Sequence, residues 1–187
     1  MPMSEPNSRE SLLTELVDVF RRRGYEGATL NQLAEATSLG KASLYHHFPG
    51  GKAQMAELLL VRSLDTLNST AFSHLHQKNS PGHKLAAFID GFATYTDQGE
   101  SHCLVAILGQ GSAGEVHRST IQARFDRWEA ELAEVFKDLG LKPKQATRQA
   151  RRLLAELYGA LLLSQLRADP RIFRQVTKRQ KNRLILL

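Results

Sequence analysis

The sequence of 187 residues predicts an all-α protein of about nine helices. Apolar residues recur at spacings of three and four along most of the chain, which is the period of an amphipathic helix. No segment shows the strict alternation of apolar and polar residues that indicates a strand. Short stretches rich in glycine, proline, asparagine and serine separate the periodic segments, as turns between helices do. Together, these observations predict a bundle of helices.

Three helices are predicted in the N-terminal quarter. The first has an apolar face over residues 12–20 and is expected to end at Gly24, because glycine readily adopts the left-handed conformation that terminates a helix. Thr29 and Gln32 have the spacing of a capping box, which starts a second short helix. After a tight turn, a third helix is expected over residues 41–48.

Six further helices are predicted in the rest of the chain. Residues 79–82 and 109–114 are expected to be loops because of their glycine and proline content. Asp169 followed by Pro170 is typical of a helix start, with proline at the first helical position. The predicted helices cover residues 51–75, 84–95, 103–108, 115–139, 144–168 and the segment from 171.

The composition describes a globular chain whose positive charge lies at one end. The net charge is +6, but residues 142–187 contain twelve Lys or Arg against two Asp or Glu, while the first 52 residues are neutral. A basic protein suggests a nucleic-acid partner, although the charge does not lie in the N-terminal third. No apolar run is long enough for a membrane span, the N-terminus lacks a secretory signal, and Cys103 is a lone cysteine. We therefore expect a cytoplasmic protein.

The second and third predicted helices have the arrangement of a helix-turn-helix, whose second helix enters the DNA major groove. The sequence over residues 29–48, above all Leu-Tyr-His-His-Phe at 44–48 followed by Lys52, resembles the DNA-binding segment of the TetR family of bacterial transcriptional regulators. Residues 47–52, 102–106 and 125–128 are similar to the LmrA/YxaF-like subgroup of that family.

The resemblance implies a division of the chain and a set of partners. Residues 1–50 would be a helix-turn-helix DNA-binding domain, and residues 51–187 a ligand-sensing and dimerisation domain. The expected function is that of a homodimeric repressor, which binds an inverted-repeat operator in double-stranded DNA and is released by a small apolar or aromatic effector. The sequence names neither the effector nor the operator, and it does not separate repression from activation.

The family pattern also implies which residues contact DNA. Contacts to phosphates would come from Thr29, Tyr45, His46, His47 and Lys52, and base contacts from among Lys41, Ala42, Ser43 and His46. Two positions depart from the pattern. Ser38 stands where the family usually has a glycine, so it is expected to adopt a left-handed or otherwise costly conformation. Gly40 stands where a serine or threonine usually caps the third helix.

Effector and dimer sites are predicted farther along the chain. Buried Trp128 and Tyr158 are the better effector candidates, because an indole or a phenol needs a polar partner that a ligand supplies. For every effector candidate, ordinary core packing is the alternative. The effector candidates are Phe88, Phe92, Tyr95, Cys103, Ile107, Phe125, Trp128, Tyr158 and Leu162. In the family the last two long helices form the dimer interface, which here implies Leu153, Leu157, Ala160 and Leu161.

No motif in the sequence indicates catalysis. His102 and Cys103 are adjacent, which does not make a nucleophile–base pair, and the glycines at 109–111 lack the context of a phosphate-binding loop. We therefore expect a protein that is not an enzyme and has no cofactor or metal. The alternative function is a helical adaptor protein that uses its basic C-terminal region and does not bind DNA sequence-specifically.

Overall fold

The computed structural model describes residues 8–185, and this part of the chain is helical without strands. The N-terminal residues on which the absence of a secretory signal rests lie outside it. Within the described part, the all-α prediction is confirmed. Ten α-helices occur, at Arg9–Gly27 (α1), Leu30–Ala36 (α2), Lys41–His47 (α3), Gly51–Thr70 (α4), Pro81–Tyr95 (α5), Leu104–Gln110 (α6), Ser112–Val116 (α7), Arg118–Asp138 (α8), Pro143–Leu166 (α9) and Arg171–Ile185 (α10).

The described residues form two compact units. Unit 1 contains the chain up to Leu64 and the segment Cys103–Ile121, which carries α6 and α7. Helix α6 packs against α1 in this unit. The core of unit 1 is a set of buried leucines and phenylalanines in and directly after the first four helices, namely Leu12, Leu16, Phe20, Leu33, Leu44, Phe48, Leu59 and Leu60.

Unit 2 contains Asp65–His102 and the chain from Gln122 onward. Its helix α10 packs against both α5 and α9. Helix α5 comes so close to the end of α4 that a Cβ atom at Gly91 would lie 1.8 Å from the carbonyl oxygen of Thr70. Only glycine permits that approach. The core of unit 2 is rich in aromatic rings, including Phe72, Phe88, Phe92, Trp128, Phe136 and Phe173.

Several helix boundaries differ from the sequence prediction. Helix α5 begins at Pro81, inside the predicted loop at 79–82, because proline is tolerated in the first turn of a helix. Helix α1 does not end at Gly24 but is kinked there, with φ of +66°, and continues to Gly27. Helix α4 ends at Thr70, and the predicted remainder forms a 3-10 helix at Phe72–His76. The predicted loop at 109–114 contains the start of α7, which accounts for a tenth helix.

The two compact units do not divide at residue 50. Unit 1 extends along α4 to Leu64 and also takes in α6 and α7. The predicted boundary at residue 50 was drawn between a DNA-binding and a ligand-sensing function, not between compact units, and it stays a prediction. Among residues 8–185, no helix is long and apolar enough to cross a membrane.

Candidate nucleic-acid interface

Helix α2 begins with the predicted capping box. The backbone N–H of Gln32 donates to the Thr29 hydroxyl oxygen over 3.3 Å, and the backbone N–H of Thr29 donates to the Gln32 side-chain carbonyl over 3.0 Å. These two bonds satisfy donors that the first turn of a helix otherwise leaves without partners. The capping box is therefore confirmed, and it leaves the Thr29 side chain exposed at the N-terminal end of α2.

The turn between α2 and α3 is compact and strained at one residue. Ser38 has φ of +53°, which confirms the expected left-handed conformation. The turn is anchored by Thr37, whose buried hydroxyl donates to the carbonyl oxygens of Leu33 and Ala34 over 3.0 and 3.1 Å. Gly40 then caps α3 without a side-chain hydrogen bond.

Ser38→Gly should therefore stabilise the protein. The left-handed conformation costs a non-glycine residue about 1–2 kcal/mol. Replacement by glycine removes this strain, but part of the stabilisation is offset because glycine increases the entropy of the unfolded chain. We expect the free energy of unfolding to rise by about 0.5 kcal/mol, measured by urea denaturation. Ser43→Gly in α3 is the matched control, and it should lower stability because its backbone is helical. Equal effects of the two substitutions would contradict the strain at Ser38.

Helix α3 has one anchored side and one exposed side. Leu44 is buried, and Phe48 follows the helix as a buried cap residue. The opposite side carries Lys41, Ala42, Ser43, Tyr45 and His46, all exposed, with His47 half-buried beside them. The side chains of Ala42 and Ser43 are short and leave the backbone of α3 accessible at that point. The structure thus places the predicted DNA-contact residues of α3 on one surface, and their role in DNA contact stays a prediction.

Arg9 and Gly51 fix the C-terminal end of α3. Arg9 donates a hydrogen bond to the carbonyl oxygen of His47 over 2.9 Å, and its guanidinium lies 5.9 Å from the centre of the Phe48 ring. Gly51 has φ of +61°, and a Cβ atom there would lie 3.2 Å from the ring of Tyr45. The sequence prediction missed Arg9, because it lies 38 residues from its partner and no local pattern connects them.

Lys52 has a partner inside unit 1. Its ammonium group donates to the carbonyl oxygen of Tyr25 over 2.9 Å and lies 4.5 Å from the centre of the Tyr25 ring. This bond satisfies a carbonyl at the end of α1 and joins that end to the start of α4. The predicted phosphate contact by Lys52 stays a prediction, and an additional role in joining α1 to α4 follows from the structure.

Glu26, just beyond the kink in α1, binds the start of α7. The backbone N–H of Ser112 donates to the carboxylate of Glu26 over 2.8 Å. The pKa of Glu26 is lowered below its ordinary value, mainly by this backbone hydrogen bond and to a smaller extent by a hydrogen bond from the Ser112 side chain. Because the charged carboxylate is the form that is held, this contact is present at neutral pH and is lost as the pH falls through the lowered pKa.

Ser112→Pro should raise the pKa of Glu26 toward its ordinary value. Proline removes the N–H donor, and it is tolerated here because Ser112 opens α7 and the preceding Gly111 is extended. Ser112→Ala keeps the N–H and should leave most of the lowering in place. Titration of the Glu26 side-chain carboxyl by NMR measures both. A pKa that is equally low in the proline variant would contradict the assigned cause.

The predicted effector residues divide between the two units. Cys103 and Ile107 lie in unit 1, and the other seven lie in unit 2. Leu162 is 57% exposed and does not face inward, so its assignment to a cavity is wrong. The remaining six in unit 2 are buried or half-buried, as a cavity lining or a core requires, and they are Phe88, Phe92, Tyr95, Phe125, Trp128 and Tyr158.

Trp128 already has a polar partner within the protein. Its indole N–H donates to the side-chain oxygen of Asn68 on α4 over 3.2 Å, and its ring stacks on Phe72 with centroids 4.4 Å apart. The ring of Phe125 lies edge-on at 5.2 Å. The expectation that a ligand must satisfy the indole is therefore corrected. Asn68 was missed because it lies 60 residues from Trp128 in the sequence.

The four residues predicted for the dimer interface face the wrong way. Leu153, Leu157, Ala160 and Leu161 are buried in the core of unit 2. Side chains that are buried within one chain offer no area to another, so the assignment is corrected. Helix α9 instead exposes other leucines on its far side, which are Leu162, Leu163 and Leu166.

Within the described part of the chain, no group of three or more His, Cys, Asp or Glu residues is placed to hold a metal ion. The exposed side of α3, together with the hydroxyl, imidazole and lysine side chains on and beside it, is the candidate functional surface of unit 1. It combines short side chains on an exposed helix with hydrogen-bond donors around it. This combination suits contact with bases and phosphates of a DNA duplex.

Comparison with known proteins matches two parts of the chain to family models. Residues 12–59 match the model of bacterial regulatory proteins of the tetR family. Residues 81–179 match the model of the C-terminal domain of LmrA/YxaF-like transcriptional regulators. The chain is similar to the HTH-type transcriptional regulator LmrA of Bacillus subtilis (strain 168), with 25% identity over 166 residues that cover 87% of this chain and 88% of LmrA.

Solved structures show the same fold. The TetR family transcriptional regulator PfmR from Thermus thermophilus superposes with a TM-score of 0.74 over 96% of both chains, at 24% identity. AibR, solved in complex with isovaleryl coenzyme A and operator DNA, superposes with a TM-score of 0.65 at 24% identity. That match covers 81% of this chain and 85% of AibR.

Proposed function

Because the chain belongs to the TetR family of bacterial transcriptional regulators, in its LmrA/YxaF-like branch, we propose that it is a homodimeric repressor. It binds an inverted-repeat operator through α2 and α3, and a small apolar or aromatic effector bound by the C-terminal helices releases it. The protein acts in the cytoplasm, where its DNA target lies. The family consists of transcriptional regulators and not of enzymes. The observation that carries the proposal is the exposed side of α3.

That side has the form that major-groove reading requires. Ala42 and Ser43 are short and exposed, so the helix backbone can approach the base edges closely. Lys41 and His46 extend from the two ends of this stretch and supply donors to bases or phosphates. Thr29 at the start of α2 and Tyr45, which is 45% exposed, carry hydroxyls that suit phosphate oxygens.

A second copy of the chain is the proposed occupant of the exposed face of α9. Ala155, Gly159, Leu162 and Leu166 are spaced four, three and four residues apart, so they share one side of the helix. Leu162 and Leu166 are 57% and 73% exposed, and a Cβ atom at Gly159 would meet nothing within 4 Å. Small residues beside exposed leucines allow two such helices to pack closely across a two-fold axis.

The aromatic core of unit 2 is the proposed effector site. The rings of Phe92 and Tyr158 lie 5.2 Å apart, and Phe125 lies 6.0 Å from Tyr158. An effector with a flat apolar body can replace such ring–ring contacts with similar ones of its own. AibR, which has the same fold, was solved with isovaleryl coenzyme A bound, and this supports a ligand site in a protein of this fold.

The alternative, an adaptor that uses the basic C-terminal region, is not favoured. Family membership supports the regulator, and several C-terminal cations are already paired within the chain. Arg151 lies 2.8 Å from Glu129, Arg152 lies 2.7 Å from Glu156, and Arg174 lies 2.9 Å from Glu100. Pairing of this kind lowers the positive charge that an acidic partner would meet.

The proposal is tested by selecting bound fragments from a pool of random DNA duplexes without an added effector. We expect an enriched inverted repeat whose half-sites lie about one helical turn, or a multiple of it, apart, because a two-fold dimer presents two copies of α3. Loss of binding to that repeat is then the assay for effectors. Retention of DNA without enrichment, falling steeply with salt, would show nonspecific charge contact and reject the proposal.

A further inference from the structure

Few cations of the N-terminal quarter lie beside the exposed side of α3. Residues 1–52 contain six Lys or Arg, balanced by six Asp or Glu, although cations placed against phosphates supply much of the affinity of a protein for DNA. Three of the six cations, at residues 21–23, lie about 18 Å or more along α1 from its first turn. Lys52 already donates to a carbonyl oxygen within the chain. The two cations left at the ends of α3 are Lys41, its first residue, and Arg9, which is bonded to its last.

The guanidinium of Arg9 is held in place while most of its donors stay unused. One N–H donates to the carbonyl oxygen of His47 over 2.9 Å, and the group lies 5.9 Å from the centre of the Phe48 ring. A guanidinium carries five N–H donors, and the described residues contain no further hydrogen-bond or ion-pair partner of Arg9. The side chain is exposed. Because its position is already fixed, binding of another acceptor costs less side-chain entropy.

Helix α4 fixes the turn of α1 that carries Arg9. Arg62 on α4 donates to the carbonyl oxygen of Glu10 over 3.3 Å and to the hydroxyl of Thr14 over 3.0 Å. The same guanidinium lies 3.6 Å from the carboxylate of Glu10. The acid next to Arg9 in the sequence therefore has a cation of its own on α4, and the backbone that carries Arg9 is held by two hydrogen bonds.

We propose that Arg9 binds a phosphate of the operator backbone at the C-terminal end of α3. This contact rests on the proposed function, because it requires DNA to lie along the exposed side of α3. The carbonyl end of a helix carries partial negative charge, which repels a phosphate. Arg9 places a positive charge at that end, and its planar fork has N–H groups for a phosphate besides the one that bonds His47.

The salt dependence of operator binding tests this contact. Fluorescence anisotropy compares the full chain with its Arg9→Gln variant between about 0.1 and 0.5 M salt. Each neutralised phosphate contributes about 0.9 to the slope of log affinity against log salt, so a dimer that loses two contacts should lose about 1.8 from that slope. We expect the variant to bind about 20-fold more weakly at about 0.1 M salt and almost equally at about 0.5 M. A residue that only stabilises the end of α3 lowers affinity by the same factor at every salt concentration, and that result overturns the proposal.

Two further variants control for charge and for folding. Arg22→Gln removes the same charge from the same helix, but Arg22 shares its surface with Glu15, Asp18 and Glu35, which repel a phosphate. It should leave the slope unchanged. Arg9→Lys keeps the charge and should restore most of the slope, although an ammonium group lacks the planar fork. An equal loss of slope in both glutamine variants contradicts the contact, because it indicates an effect of net charge alone.

The selected operator separates this proposal from the proposed function. If the unchanged protein prefers the inverted repeat over an unrelated duplex but its salt slope does not depend on Arg9, the repressor function is retained and the phosphate contact is wrong. If the unchanged protein shows no such preference, the proposed function is rejected, and the contact that rests on it is rejected as well.

Discussion

Ser43→Glu is expected to reduce the affinity for operator DNA by about 100-fold or more without unfolding the protein. Ser43 is exposed in the middle of the outward side of α3, and its side chain makes no hydrogen bond in the described part of the chain. A glutamate there places a carboxylate against the negative duplex. If each subunit loses about 1.4 kcal/mol, each contributes a tenfold loss, and a dimer contributes that loss twice.

Ser119→Glu is the matched control for this variant. Ser119 is also exposed and lies in the first turn of α8, where a negative side chain is favourable. The two variants therefore have the same composition and net charge. Fluorescence anisotropy with the selected operator should show a large loss for Ser43→Glu and little change for Ser119→Glu. Equal affinities would mean that α3 does not face DNA.

The DNA-binding part of the fold could be predicted because its signals are local. Thr29 and Gln32 are three residues apart, and their reciprocal hydrogen bonds form the capping box at the start of α2, as the structure confirms. For Ser38, the family resemblance implied a left-handed conformation because the family usually has glycine there, and its φ is +53°. The capping box depends on residues three positions apart and the Ser38 expectation on the family pattern of the turn, so neither needs a tertiary contact to be inferred.

The remaining parts of unit 1 depend on contacts between distant residues. Helix α7 is only five residues long, and its first N–H is held by Glu26, which lies 86 residues earlier. Isolated helices of this length are unstable in water, so a local pattern does not predict them. Likewise, just beyond the kink at Gly24 the carbonyl oxygen of Tyr25 accepts a hydrogen bond from Lys52, which lies 27 residues later.

Helix α9 shows a different reason for a wrong prediction. Apolar residues occur nearly all around its C-terminal half, at positions 153, 154, 157 and 160–163, so the sequence does not tell which side faces the core. The structure resolves this, because Leu153 and Leu157 are buried while Leu162 and Leu166 are exposed. The exposed leucines that made the pattern ambiguous form the surface that we propose for contact with a second copy of the chain.

Gly159→Arg is expected to split the dimer and, with it, to reduce operator affinity by about 100-fold or more, because a monomer loses the second half-site and the contacts that it makes. A substitution at Gly159 can test the proposed dimer interface of α9 without changing the side of α9 that packs in the core of unit 2. A Cβ atom at Gly159 meets nothing within 4 Å in the chain, so a larger side chain does not disturb the core of unit 2. Between two copies of α9, the same side chain occupies the space in which the helices approach each other, and it places like charges across the two-fold axis.

Gly159→Ala provides the control, because glycine inside a helix costs roughly 0.5–1 kcal/mol relative to alanine. If the face of α9 is solvated, both substitutions should stabilise the helix and leave the molecular mass unchanged, since arginine is also a good helix former. If it is the dimer interface, the alanine variant should remain a dimer, whereas the arginine variant should sediment as a single chain of 20.9 kDa. Sedimentation of both variants at micromolar concentration distinguishes these cases. A dimeric arginine variant with unchanged operator affinity would exclude this face of α9 from the interface, because two inserted arginines cannot be accommodated where the helices must pack closely.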